Sequence, residues 1–530
     1  LASGAIAVGG VSAANAVTAP ISPSLSNVPN ANTRSDGYAP ASKLSPELRQ
    51  LAVAHGSTPL ENPSALTSYY GYDNDVLNSA GLPQMVPTPT SPTAEAHKTE
   101  PDKNTYLVFK NGLEGADANY DYGTHFLFQG HEGGAGGASG LTRINLDADS
   151  AHRVTLLATA DSNGQPLATI DGSTWDPWAK RILLTTENPN APTYAATPGF
   201  PSTVVDVSGA LGRGGYEGIQ EDSDGNIWIV EDIGGSNKPG TVAKRPNSFV
   251  YRYVPAKPGD LRRGKLQVLQ VLNGAGEPIT FASQEALNSA DQVALHTYGK
   301  TFKTRWVTIH DTAVDGTAPF QANPLAKAAN ATPFKRPENG AFQPGSHFKK
   351  FFFAETGDTN ATSVENANGG WGSIMELSQS GPSSNTGTLR MLYRCDEAHS
   401  GLDNVAFLSA NTVSFVEDAG DTLHGQRNAL DSAFAWNVGA DYSNPANQPV
   451  RWLAEGRDAS ATLDAANGGF GSNEGDNEIT GLHVSDGAVG TSGILGAEVP
   501  DLTSSQWRWF YTQQHGDNNT YQVVLRHNGL

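Results

Sequence analysis

The sequence predicts an all-β protein, specifically a six-bladed β-propeller with blade insertions and an N-terminal irregular or helical arm. Three observations carry this. The chain of 530 residues holds 58 Gly and 32 Pro with only 17% charged residues, a turn-rich profile suited to many short strands. From about Tyr106 onward, short alternating apolar strands recur between clusters of Gly, Asn, Asp and Pro. Six of those strands end the same way, on a polar, glycine-associated tip.

Residues 1–104 read as the arm. They are rich in Ala, Ser, Pro and Asn and poor in strand signals. "SPELRQLAVAHG" predicts one short helix, with Ser45 as N-cap, Pro46 at the first position and Gly56 at the stop. The opening "LASGAIAVGGVSAANAVTAP" is uncharged and resembles the end of a signal peptide, which predicts an exported protein, periplasmic or extracellular.

Residues 105–530 are taken as the propeller. The six strand-and-tip segments are "THFLFQGHEGG", "RILLTTENPN", "NIWIVEDIGG", "KFFFAETGDT", "VSFVEDAGDT" and "RWFYTQQHGD". Their anchor residues are His131, Glu187, Glu231, Glu355, Glu417 and His515. A blade takes about 40–50 residues, so the longer intervals between anchors carry insertions. Matching tips from different blades converge at one end of a propeller channel. Asp, Asn and Gly at a strand end are ordinary turn residues. Glu is not, and its recurrence points to a shared rim.

More acids precede these strands: Glu217 in "GRGGYEGI", Glu338 in "KRPENGAF" beside Arg336, Asp403 in "SGLDNVAF" and Glu478 in "NEITGLHVSDG". Clustered buried carboxylates are unfavourable unless a cation compensates them. Hard cations such as Ca²⁺ take six to eight oxygens from such groups. His131, His399, His424 and His515 add borderline ligands, without a zinc-type spacing such as HExxH.

A net charge of −20 repels nucleic acid and anionic membranes. No run of 18 apolar residues predicts a membrane span. The single cysteine, Cys395, excludes an internal disulfide and reads as a buried small residue. There is no GxSxG, no P-loop and no GxGxxG between strand and helix. The glycine run "GHEGGAGGASG" reads as a turn between strands.

The series "TTEN", "GGYEG", "VEDIGG", "RPENGAF", "LDNVAF", "NEITG" and "QQHG", in that order, resembles the PhoX-type bacterial alkaline phosphatase family. The resemblance spans roughly residues 105–530, and "RPEN" and "NEITG…DG…QQHG" are its most specific motifs. It implies a six-bladed propeller with a polynuclear site of ferric iron and calcium at the channel mouth. It also implies an exported enzyme that hydrolyses phosphate esters.

Carried over by position, Glu217, Asp232, Glu338, Asp403 and Glu478 are implied metal ligands, and Arg336 is implied to contact the phosphate oxygens. Glu187, also counted among the metal ligands, lies in the strand where the family carries an iron-binding cysteine, and Thr186 stands in that cysteine's place. Further metal or rim candidates are Glu231, Glu355, Glu417, Asp418, Asp421 and His515. Oxygen ligands favour calcium or another divalent metal, whereas the missing thiolate weighs against iron.

The reading is thus a metal-dependent phosphomonoesterase, with phosphodiesterase as a near variant, acting as a monomer on a small phosphate ester. Two alternatives stand beside it. One is a calcium-dependent lactonase-like ester hydrolase, the other a non-catalytic, calcium-stabilised binding module.

Overall fold

Each of the six apolar segments singled out in the sequence is a strand, and each is the second strand of an antiparallel meander. A computed structural model describes residues 17–18, 20–34, 41–83, 96–133, 137–281, 286–456, 478–515 and 518–526. The architecture is all-β with a few short helices, and the sheets stand in a propeller-like arrangement.

The meanders begin at Pro101–Val108, Ile170–Asp176, Tyr216–Glu221, Gly340–Phe342, Leu402–Ser409 and Glu478–Ser485. Each of these first strands lies against the first strand of the next meander, and the last returns to the first. They therefore form a closed ring around a channel. The third and fourth meanders are fused into one nine-stranded sheet by Phe302–Asp311. That strand pairs with Gly264–Leu272 on one side and Thr386–Arg394 on the other.

Alternation of side chains explains how the ring holds. Apolar residues on each sheet meet those of the neighbouring sheet, and six apolar clusters fill the gaps. Trp228 packs edge-on to Trp306 and Phe342 between the third and fourth meanders, while Trp452 meets Trp509 between the fifth and sixth. Fully burying such a side chain contributes about 1.5–3 kcal/mol. Cys395 is buried in one of these clusters, as expected.

The predicted helix at "SPELRQLAVAHG" is a strand instead, Leu48–Ala54. It pairs antiparallel with Asn519–Leu525, from Leu48 opposite Leu525 to Ala54 opposite Thr520. The C-terminal meander has only three strands of its own, so the N-terminal segment supplies the fourth. A complete ladder and the burial of Leu48 outweigh a helix preference of a few tenths of a kcal/mol per residue. Among the described residues, no helix is long and apolar enough to cross a membrane.

Candidate metal centre

An acid opens every meander. Asp102, Asp171, Glu217, Asp403 and Glu478 lie at the beginnings of their first strands, and Glu338 lies two residues ahead of Gly340–Phe342. The pairing register breaks at Pro101/Asn104, Ile170/Ser173, Tyr216/Ile219 and Leu402/Val405. Such a bulge re-aims the side chain it carries. Here the acids turn toward the channel. Close packing of the strands makes the neighbouring glycines necessary. A Cβ on Gly172 would stand 2.1 Å from the Glu217 carbonyl oxygen.

The second strands add the residue just after their last ladder position. Glu132, Glu187, Asp418 and His515 all line one cavity of about 310 Å³ with five of the first-strand acids, while Asp102 lies behind the wall and accepts from the Thr480 hydroxyl. Its wall holds eight carboxylates: Glu132, Asp171, Glu187, Glu217, Glu338, Asp403, Asp418 and Glu478. Arg336 and His515 are the basic side chains in that wall. His515 sits between two acids, with Nδ1 3.1 Å from Glu100 Oε1 and Nε2 3.2 Å from Glu478 Oε2.

Below the acids lies Lys103, buried, donating to Asn404 Oδ1 at 3.0 Å and the Leu482 carbonyl at 2.7 Å. Burial pulls its ammonium down to about 8, against the attraction of Asp403 and Asp102. The carboxyls of Glu132, Asp171, Glu217, Asp403 and Glu478 are all pushed well above the usual range. Burial is the first cause and mutual repulsion the second.

Arg336 has a supported position. Its Nε lies 3.1 and 3.0 Å from the two Asp232 oxygens, and Nη2 donates to Oδ2 at 2.8 Å. Nη2 is also 2.8 Å from Glu338 Oε1, close enough for an ion pair, although the angle does not make a hydrogen bond. The backbone at Arg336 is left-handed, with φ of 59°, which costs on the order of 1–3 kcal/mol in a non-glycine residue. Buried ionic contacts of the preceding residue hold it. Lys335 Nζ donates to Asp358 at 3.0 Å and to Glu365 at 2.8 Å. The Arg336 carbonyl in turn accepts from Thr356 N at 2.8 Å.

Other expected rim residues lie elsewhere. Glu231, Glu355 and Glu417 are the last ladder residues of their strands, so alternation turns them between the sheets. Glu231 accepts from Phe249 N, Tyr251 and Asn323. Glu355 is paired with His296 at 2.7 Å, and Glu417 with Arg427 at 3.1 Å. Asp421 is exposed and paired with Arg34. Asp232 is bonded to Arg336 and is not in the cavity wall. Of the histidines, His131 bonds Thr99 and Thr142 and is pushed down to about 3 by burial. His399 and His424 are paired with Asp396 and Asp431.

Asp102, Asp171 and Glu132 were not foreseen. The signal lay in "EPDKN" and "TIDGS", which repeat the acid-then-small or acid-then-polar pattern of "YEGI" and "LDNV". These three acids offer oxygens all within 4.8 Å of one another. Asp171 Oδ1 and Glu217 Oε2 are buried with no hydrogen-bond donor. An all-oxygen set with bare buried oxygens fits a hard cation such as Ca²⁺. It does not supply a soft ligand. The Thr186 hydroxyl is turned to the Pro192 carbonyl at 3.0 Å.

Fold and site together define a propeller-like all-β protein with a carboxylate-lined cavity at one end of its channel. Among solved structures, the chain is similar to PhoX of Pseudomonas fluorescens in complex with vanadate, described as a transition state analogue. The TM-score is 0.56 over 94% of this chain and 98% of that one, at 11% identity, a likeness of fold. Weaker matches include a periplasmic gluconolactonase of Pseudomonas aeruginosa, with TM-score 0.32, 13% identity, and 90% and 100% of the two chains covered. Another is an auxiliary nutrient binding protein of Bacteroides thetaiotaomicron, with TM-score 0.35, 9% identity, and 84% and 76% covered. No family model and no curated protein matches the chain.

Proposed function

We propose that the chain is a metal-dependent phosphoric ester hydrolase, a phosphomonoesterase or near variant, with its centre in the carboxylate cavity. The observation that carries this is a single arginine, Arg336, fixed in a wall of eight carboxylates. The carboxylates attract cations and not substrate. An anionic ester enters such a site only once cations have reversed its potential. A fold shared with a vanadate-bound phosphatase supports the same reading.

Asp102, Glu132, Asp171 and Glu217 are the residues best placed to hold a cation, with Glu338, Asp403 and Glu478 across the cavity. Calcium suits this set, and iron or another divalent or trivalent metal would have to bind through oxygen. When bound, such metals polarise phosphoryl oxygens and lower the pKa of attacking water. Asp232 keeps the Arg336 guanidinium in one plane, ready to donate to the phosphoryl oxygens. His515 stands at the wall against Glu478 and is able to hand a proton to the leaving alkoxide.

In this reading the six meanders are six blades. Residues 105–530 are the propeller, with its first strand begun at Pro101, and residues 1–104 are an arm that returns to complete the last blade. The protein is exported and monomeric.

The test is hydrolysis of an aryl phosphate by purified protein supplied with calcium and iron. Turnover that disappears with chelation supports the proposal. Lactone turnover with one calcium per chain would replace it by the lactonase reading. Calcium-dependent stability without hydrolysis of either substrate would replace it by a binding module.

A further inference from the structure

Two of the first strands carry an acid at both ends. Ile170–Asp176 has Asp171 at the cavity and Asp176 at its far end, and Tyr216–Glu221 has Glu217 and Glu221 likewise. At a strand rise of about 3.3 Å per residue, the far pair stands roughly 13–16 Å from the cavity acids. Asp176 is 0% and Glu221 1% exposed. The two carboxyls are within hydrogen-bonding reach of each other.

Their oxygens are poorly served. Asp176 Oδ1 accepts from Trp178 N at 2.8 Å and Ala179 N at 2.7 Å. Asp176 Oδ2 and both oxygens of Glu221 are buried without any donor. Among the described residues, neither acid forms an ion pair with a lysine or arginine, although Arg181 stands opposite Asp176 in the ladder and attracts its carboxylate from further away. The adjacent Asp222 is different, since Asn226 and the Trp228 indole occupy its carboxylate.

We propose that Asp176 and Glu221 are ligands of a second, structural cation site between the second and third meanders, at the ends of their first strands remote from the cavity, suited to a hard divalent ion such as Ca²⁺. A shared proton would cancel one charge and leave oxygens still bare. A divalent ion cancels both charges and takes all three oxygens. Each first strand is an edge strand of its sheet, so channel-side carbonyls remain outside the ladder to complete the coordination. An ion here would tie the second meander to the third.

Terbium excited through tryptophan is the probe, because its emission requires a nearby indole. Trp178 follows Asp176 by two residues, and Trp228 lies opposite Gln220 in the strand paired with Tyr216–Glu221. No tryptophan lines the carboxylate cavity. The expected result is bright emission from the wild type that is lost in Asp176→Asn/Glu221→Gln, with one fewer calcium per chain by elemental analysis. Melting gives a second readout. In chelator the variant melts at or above the wild type, and with calcium the order reverses. Unchanged emission and metal content, or the same melting order with and without calcium, would overturn the site in favour of a shared proton. Should the double variant fail to fold, Glu221→Gln alone carries the same comparisons.

Discussion

Arg336 and Asp232 form a forked ion pair between meanders, with Arg336 Nη2 2.8 Å from Asp232 Oδ2 and Nε within 3.1 Å of both carboxylate oxygens. The sequence resemblance assigned Asp232 to metal and Arg336 to phosphate. Under the proposed function, the pair makes Asp232 a positioning residue for the arginine. Arg336→Lys keeps the charge and loses the fork, and is expected to lower kcat/KM for an aryl phosphate about 100-fold. Asp232→Asn is expected to raise KM more than it lowers kcat, with metal content unchanged. Steady-state kinetics beside elemental analysis checks both. Loss of metal in Asp232→Asn would return that residue to the ligand set.

Chelation should make stability depend on pH in a defined direction. Carboxyls such as Asp171, Glu217 and Asp403 have folded pKa values raised above their unfolded ones. Their folded forms are favoured at low pH, and the contribution is lost as pH rises from about 4, the unfolded range, through the raised values. Protein in EDTA should therefore melt lower at pH 8 than at pH 5.5. Calcium at 100 times its Kd should restore about 2.7 kcal/mol and narrow the gap. Equal melting at both pH values in EDTA would contradict the burial of these acids as a metal-free cluster.

The N-terminal strand offers a packing test. Leu48 is 1% exposed and Leu51 is 43% exposed. Leu48→Ala is expected to cost about 2–4 kcal/mol, whereas Leu51→Ala should stay within about 0.5 kcal/mol. Chemical denaturation measures both. Equal small effects would mean that the segment does not complete the last sheet.

Thr186→Cys places a thiol where the resemblance puts one. Thr186 is the last ladder residue of its strand, and its hydroxyl is spent on Pro192 inside the following turn. The neighbour Glu187, not Thr186, reaches the cavity. No thiolate–iron absorption should appear when the variant is loaded with ferric iron. A new visible band would show that the position still faces the metal.

Much of the fold was legible because alternation and turn chemistry are local. "NIWIV", "FFFA" and "VSFVE" are read correctly as strands from four or five residues each. "LRQLAVA" was not, because its partner, Asn519–Leu525, lies at the other end of the chain. The site was half legible for a related reason. Glu217, Glu338, Asp403 and Glu478 meet in one cavity as expected from their order. Glu231, Glu355 and Glu417 share their motif but not their direction, since one step along a strand moves a side chain to the other face. Bulges aim Asp102 and Asp171 just as they aim Glu217 and Asp403, but Asp102 falls in the stretch read as an arm, and "TIDGSTWD" shows little of the apolar alternation that marks a strand.

The central claim is that the carboxylate ring holds metal. Anomalous diffraction from crystals of chelator-free protein, collected on both sides of the iron edge and at long wavelength for calcium, tests it directly. The account predicts calcium peaks among Asp102, Glu132, Asp171 and Glu217, each within about 2.3–2.6 Å of carboxylate oxygens. A map with no anomalous peak among those four residues would contradict it.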